Sequence, residues 1–166
     1  MDIKKILEEI KSTPGCELLP IIKSNYEKKL PDDLEYFFKN YGGINFFIDM
    51  PYGITVVGAH DFKNSNAYLF PEDDIIWEEL DGDISNDWFI IAKSENLSQY
   101  ISIDLNDDRL GHCYDSFIET HANPESSPII AKSFTELLKK ILDEKGVNWY
   151  WLAKDFENYG DAYENE

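Results

Sequence analysis

The chain has 166 residues, with 33 acids against 15 bases and a formal charge of −18. That length suits one domain burying roughly 70% of its extended-chain surface. A 43% hydrophobic content with ten Phe, ten Tyr and four Trp excludes global disorder. Such a negative field repels phosphate backbones and anionic membrane surfaces, so neither nucleic acid nor a bilayer is expected as a direct partner; it attracts cations or a basic protein. Acidity also keeps proteins soluble without any partner, and both readings stand at this point. The first residues, "MDIKKILEEIK", have no continuous apolar stretch of signal-peptide type, and no segment has bilayer-spanning length. A cytoplasmic protein is expected. Cys16 and Cys113 lack metal-ligand spacing and fit two buried thiols in a reducing compartment, with one disulfide as the alternative.

In chain order, Ile3, Ile6, Leu7 and Ile10 recur at helical spacing and are broken by "STPG" at 12–15. The stretch "KKLPDDLEYFFKNYGGINFF", residues 28–47, reads as a second helix. Pro31 suits its first turn, and Asp32 and Asp33 lie by the exposed N–H groups. Leu34, Phe37, Phe38 and Tyr41 form its buried face, Gly42 fits a left-handed cap, and Gly43 turns the chain into a strand. From residue 44 to about 120 the pattern is β-like: "INFFI", "ITVVGA", "WFIIAKS", the alternating "QYISIDL" and a returning "HCYDSFIE" after the turn "NDDRLG". "HANPESSP" is a loop. In "SFTELLKKILDEKG" the helical period returns, with Ser133 and Glu136 as a capping box and Gly146 as the stop. The rest, about 147–166, is an acidic extension of the same domain, with Trp149, Leu152 and Phe156 docking a short final helix and the last residues fraying. This order predicts one α+β domain: a central antiparallel sheet with N-terminal helices and a C-terminal helix packed against it.

Few residues combine into chemistry. His60, His112 and His121 lack zinc spacing, and neighbours such as His112 and Cys113 on a strand point to opposite faces. Asp104, Asn106, Asp108 and Asp115 imitate positions 1, 3, 5 and 12 of a calcium loop, but Arg109 replaces the required glycine and a polar hairpin explains the same residues. No Gly-rich phosphate loop precedes a helix, no nucleophile elbow is present, and no cofactor, metal site or catalytic residue is expected. The acids themselves are uneven. Between Lys63 and Lys93 the chain carries Glu72, Asp73, Asp74, Glu78, Glu79, Asp81, Asp83 and Asp87 without a base, interleaved with apolar residues that include Trp77. This segment is either a solvated loop or a steered interface in which Trp77 anchors and the carboxylates raise the association rate. Asp155, Glu157, Asp161, Glu164 and Glu166 extend that field or solvate the terminus.

Three blocks in order carry a resemblance. "LPDDLEYFFKNYGGINFF" resembles the Leu-Pro-acid-acid-Leu…Gly-Gly signature of the SUKH superfamily of Smi/Knr-like domains. "YISIDLNDDRLGHCYD" resembles its central strand pair, and "IIAKSFTELLKKIL" its closing helix. The turn "KSENLSQY" and the acidic tail depart from the pattern. The resemblance implies an α+β fold without a catalytic centre. In bacteria it implies an immunity protein that neutralises a cognate toxin, often a nuclease; the charge of −18 independently makes a basic toxin the expected partner. The alternative it leaves open is an intracellular regulatory or scaffold domain, and a calcium-binding or enzymatic domain is the third.

Overall fold

The computed structural model describes residues 2–164. Seven strands follow one another across a single sheet: β1 (Cys16–Leu19), β2 (Gly43–Phe46), β3 (Ile54–Val57), β4 (Trp88–Ser94), β5 (Gln99–Asp104), β6 (Cys113–Asp115) and β7 (Ile129–Ala131). Each is antiparallel to its sequence neighbour, so the strand order is the chain order. The register aligns one row of side chains across six strands, Leu18–Ile44–Val56–Ala92–Ile101–Asp115. Five members of that row are apolar, which fixes the register, because a one-residue slip would turn the whole row to the other face.

Three helices cover this face: α1 (Ile3–Lys11), α2 (Asp32–Asn40) and α5 (Phe134–Glu144). Each presents its apolar stripe inward, namely Ile6, Leu7 and Ile10; Leu34, Phe37 and Phe38; and Phe134, Leu137, Leu138, Ile141 and Leu142. Phe37 is at the centre, with its ring 5.2 Å from that of Phe134. Burial of such a ring contributes about 2–3 kcal/mol. The caps agree with the sequence: Ser133 Oγ accepts from Glu136 N at 3.0 Å, and Glu136 reaches back to accept from Lys132 N at 2.8 Å. Asp33 also accepts from Thr135 N and Oγ1, tying the start of α2 to the start of α5. Helices on a central antiparallel sheet are the predicted α+β architecture.

The opposite face has its own smaller core, Trp88, Tyr114 and Ala162 with Ile84, Ile129 and Tyr163 packed against it. It is covered by α3 (Ser65–Leu69), a 3-10 turn at Ile84–Asp87, and the last described residues. A short α4 (Ile76–Glu79) lies between them in the chain.

Local structure differs from expectation in four places. Tyr41 ends α2 in an extended conformation, so Gly42 is no left-handed cap. Its lack of a side chain serves close approach instead, since a Cβ there would lie 2.1 Å from the Pro20 carbonyl oxygen. Strands β1 and β7 are too short to show alternation. The expected final helix is a single 3-10 turn, Tyr150–Leu152, in which Tyr150 and Trp151 are buried and Leu152 is exposed. The last described residues dock where fraying was expected: Ile129 N donates to Gly160 O at 2.8 Å and Ala162 N to Ser127 O at 2.9 Å, which covers the outer edge of β7. Glu166 lies outside the described residues. Both cysteines are free; Cys113 is buried, whereas Cys16 is half-buried.

Candidate partner-binding surface

The second face is where the charge gathers. Between residues 64 and 131 the sequence has fifteen acids and two bases, Lys93 and Arg109. Both bases are already paired: Lys93 with Asp61 at 2.9 Å and Glu95 at 3.2 Å, Arg109 with Asp104 at 2.9 Å and Asp87 at 3.8 Å. The lysines belong chiefly to the remainder of the chain, which includes α1, α2 and α5. The net negative charge is therefore concentrated in residues 64–131, which include strands β4 to β7 and the segments that cover the second face.

The structure sorts the singled-out acids into two groups. Glu72, Asp73, Asp74, Glu78, Glu79 and Asp81 are exposed. Of these, Asp74 also accepts from Ile76 N, the first residue of α4, at 2.9 Å. Asp83 and Asp87 are half-buried and bound within the fold. Asp83 accepts from Ser85 N, Ser85 Oγ and the Tyr163 hydroxyl, while Asp87 accepts from Asn106 Nδ2. Trp77 is half-buried; its indole N–H donates to Pro71 O at 2.7 Å and its ring meets Phe70 edge-on. It staples its own loop, and the apolar side chain most open to water in this segment is Ile75, at 75% exposure.

Beneath the segment runs a buried polar chain that the sequence did not reveal. Ser65 Oγ lies 2.8 Å from Ser102 Oγ, which is 2.6 Å from Ser116 Oγ. Ser116 in turn is 3.0 Å from His121 Nδ1, and His121 Nε2 is 2.7 Å from Asn66 Oδ1. Asn66 Nδ2 then donates to Ser85 Oγ at 2.9 Å, and Ser85 donates to Asp83. Because the Asn66 amide nitrogen donates to Ser85, its oxygen must accept, which assigns the His121 proton to Nε2 and leaves Nδ1 to accept from Ser116. Six side chains, all at or below 3% exposure, thus join α3, β5, the loop after β6 and the 3-10 turn before β4. A fully satisfied buried network fixes geometry more than it adds stability. Here it holds the acidic segment against the sheet.

Ser116, His121 and Asn66 have the order of a nucleophile, base and orienting group, but their surroundings oppose that use. Ser116 and Asn66 are fully buried, and the Ser116 oxygen is held between Ser102 and His121. Burial pushes the His121 pKa down to about 4, making the ring a poor base. The same shift links stability to pH. An unfolded His121 protonates below about 6.5 while the folded one stays neutral to about 4, so its contribution is complete above pH 6.5 and declines as pH falls toward 4. Acidification from pH 7 to 5 is expected to cost about 2 kcal/mol through this residue. Urea denaturation of His121→Gln at both pH values should show a flatter pH dependence than the parent; an equal slope would disprove the assignment.

The calcium-like residues do not converge. Asp104 is fully buried and accepts from Arg109 Nε, the Tyr114 hydroxyl and Asn106 N. Asp115 faces Gln99 Nε2 at 2.7 Å and Phe117 N at 3.0 Å, in the row opposite Ile101, and burial raises its pKa. Among the described residues no cluster of three His, Cys, Asp or Glu is placed to hold a metal. Cys113 is buried with its thiol pKa pushed well up by desolvation, so it makes no nucleophile with His112. No helix among the described residues is long and apolar enough to cross a membrane.

A seven-stranded meander sheet with its three longest helices packed on one face defines a small α+β domain of a recognisable class. Residues 16–140 match the SMI1 / KNR4 family (SUKH-1), and the chain belongs to that family. It is also similar to Immunity protein YokJ of Bacillus subtilis (strain 168). The two are 36% identical over 169 aligned residues, covering 99% of this chain and 97% of that protein. No solved structure matches.

Proposed function

We propose that this protein is an immunity protein that acts in the cytoplasm by binding a cognate toxin one-to-one and blocking it, without catalysis. The observation that carries this reading is the end-to-end likeness to a protein named as an immunity protein. The charge supports a basic toxin. A surface that grips phosphates attracts clustered carboxylates, so a nuclease is the toxin class with the best electrostatic fit. The whole chain, with the acidic extension from about 147 onward, acts as one unit in this reading. The exposed acids Glu72, Asp73, Asp74, Glu78, Glu79 and Asp81 steer the encounter, Trp77 shapes their loop, and Asp83 and Asp87 hold the loop in place.

The test is co-expression in a sensitive host of this chain with the toxin encoded beside its gene. The chain should restore growth, and the purified pair should co-elute. A toxin that kills equally with and without the chain would overturn the reading. Within a protective pair, reversing Glu78, Glu79 and Asp81 to Lys should slow association by about 10-fold or more at low salt, with a smaller effect on dissociation. An unchanged association rate would remove this segment from the contact surface.

A further inference from the structure

The segment 72–87 is only one bank of a larger concave surface. Three adjoining depressions run across the second face. The first lies between the acidic segment and the loop after β6, floored by Phe70, Leu80 and His121 and edged by Glu79, Asp83 and Glu119. Pro124 is shared with the second, whose carboxylates are Glu125, Asp161 and Glu164. Asp161 is shared with the third, which reaches Asp108, Arg109 and His112 over the apolar Ile129 and Ala162. Three elements far apart in sequence thus line one row: residues 70–84, the loop 118–125 and the docked tail 158–164.

The carboxylates along it are not equally committed. Asp83 and Asp161 are consumed by the fold, Asp161 accepting from the backbone N–H groups of Glu125, Ser127 and Tyr163. Among the described residues, the Glu79, Glu119, Glu125, Glu164 and Asp108 side chains accept no hydrogen bond and make no ion pair. The one base in the row, Arg109, is held by Asp104 and Asp87. A row with an apolar floor and uncommitted anionic edges fits a ligand that brings both cationic heads and aliphatic stems. Lysine and arginine side chains do both.

We infer that this row, from Glu79 across the loop 118–125 to the C-terminal tail, is the docking surface for a lysine- and arginine-bearing segment of the toxin. The inference rests on the immunity reading and extends it: the tail and the loop after β6 belong to the interface along with the segment 72–87. Tyr163 ties the three together, because its hydroxyl donates to Asp83 and also lies 3.2 Å from Ala122 O.

Two variants of equal charge change separate the surface from the overall field. The first carries Glu79→Lys, Glu119→Lys, Glu125→Lys and Glu164→Lys. The second carries Glu8→Lys, Glu17→Lys, Glu27→Lys and Glu144→Lys, which lie on α1, β1, the segment leading to α2, and α5. Circular dichroism melts first verify that both are folded. Binding is then measured by titration calorimetry against the purified toxin encoded beside the gene, at one ionic strength. The first variant should lose about 100-fold or more in affinity, and the second only a few-fold. Equal losses would mean that net charge alone acts and would overturn the inference while leaving the immunity reading intact. A parent chain that neither binds nor protects overturns both. If the first variant fails to fold, the single changes Glu119→Lys and Glu125→Lys replace it, each expected to cost about 5-fold or more; no loss in either would equally overturn the inference.

Discussion

Asp104→Ala is expected to lower the free energy of unfolding by about 3 kcal/mol, measured by urea denaturation. Asp104 is fully buried at the end of β5, where one carboxylate answers three donors: Arg109 Nε at 2.9 Å, Asn106 N at 2.9 Å and the Tyr114 hydroxyl. Arg109 is partly exposed and also reaches Asp87, so it can recover solvation after the change. Tyr114 cannot. It is fully buried against Trp88, with ring centroids 4.3 Å apart, and its pKa is raised by burial and by the adjacent Asp104, which keeps the hydroxyl a donor. Most of the loss therefore comes from stranding that hydroxyl. A double-mutant cycle isolates the term. Tyr114→Phe should cost about 1 kcal/mol in the parent but recover about 1–2 kcal/mol in the Asp104→Ala background, where it removes the stranded hydroxyl. Strict additivity would show that the pair is not coupled.

The second large effect is expected at the double glycine. Gly42→Ala would place a methyl group 2.1 Å from Pro20 O and 3.3 Å from Ile22 N. Both are backbone atoms of the segment that follows β1, so no side chain can rotate away. The expected cost is about 3 kcal/mol. The edge strand β1 is the part that must yield, and its amides should lose hydrogen-exchange protection before those of β4 and β5. Gly82→Ala is the control: its φ is +73°, but nothing lies within 4 Å of a Cβ there, and only the backbone strain of about 1 kcal/mol should appear. Similar losses at both positions would contradict the steric account.

These two sites mark how far the sequence could be read. The helices were legible because their apolar residues recur at helical spacing, as with Leu34, Phe37 and Phe38, or over two turns on the inward face of α5. The helix-to-strand junction was legible too, but the reason for Gly42 was not: an αL cap and a backbone contact with residue 20 require the same amino acid, and only the pairing of β1 with β2 tells them apart. Strands of three or four residues, β1 and β7 above all, carry too few positions for alternation to register. The acidic bias was visible as composition, whereas its division into exposed and structural carboxylates was not, because Asp83 is fixed by Tyr163, eighty positions away in the chain. The Ser–His–Asn array had no local signal at all. Ser65, Ser85, Ser102 and Ser116 are ordinary turn and strand serines until the fold stacks them.

The strictly sequential strand order has a consequence for how such a protein diversifies. β3 and β4 are adjacent in the sheet and pair directly through Thr55–Lys93 and Val56–Ala92. Residues 58–87, with the exposed acids Glu72, Asp73, Asp74, Glu78, Glu79 and Asp81, are therefore an excursion between two strands that would meet without them. Lengthening or rewriting such an excursion crosses no other connection, and doubling its length adds only about 0.6 kcal/mol of closure entropy. The helical layer and the apolar row from Leu18 to Ile101 need not change. If the proposed immunity role holds, a lineage facing a succession of rival toxins could replace this segment as a cassette while inheriting the framework, provided each new version supplies its own anchor to β5 and to the loop after β6.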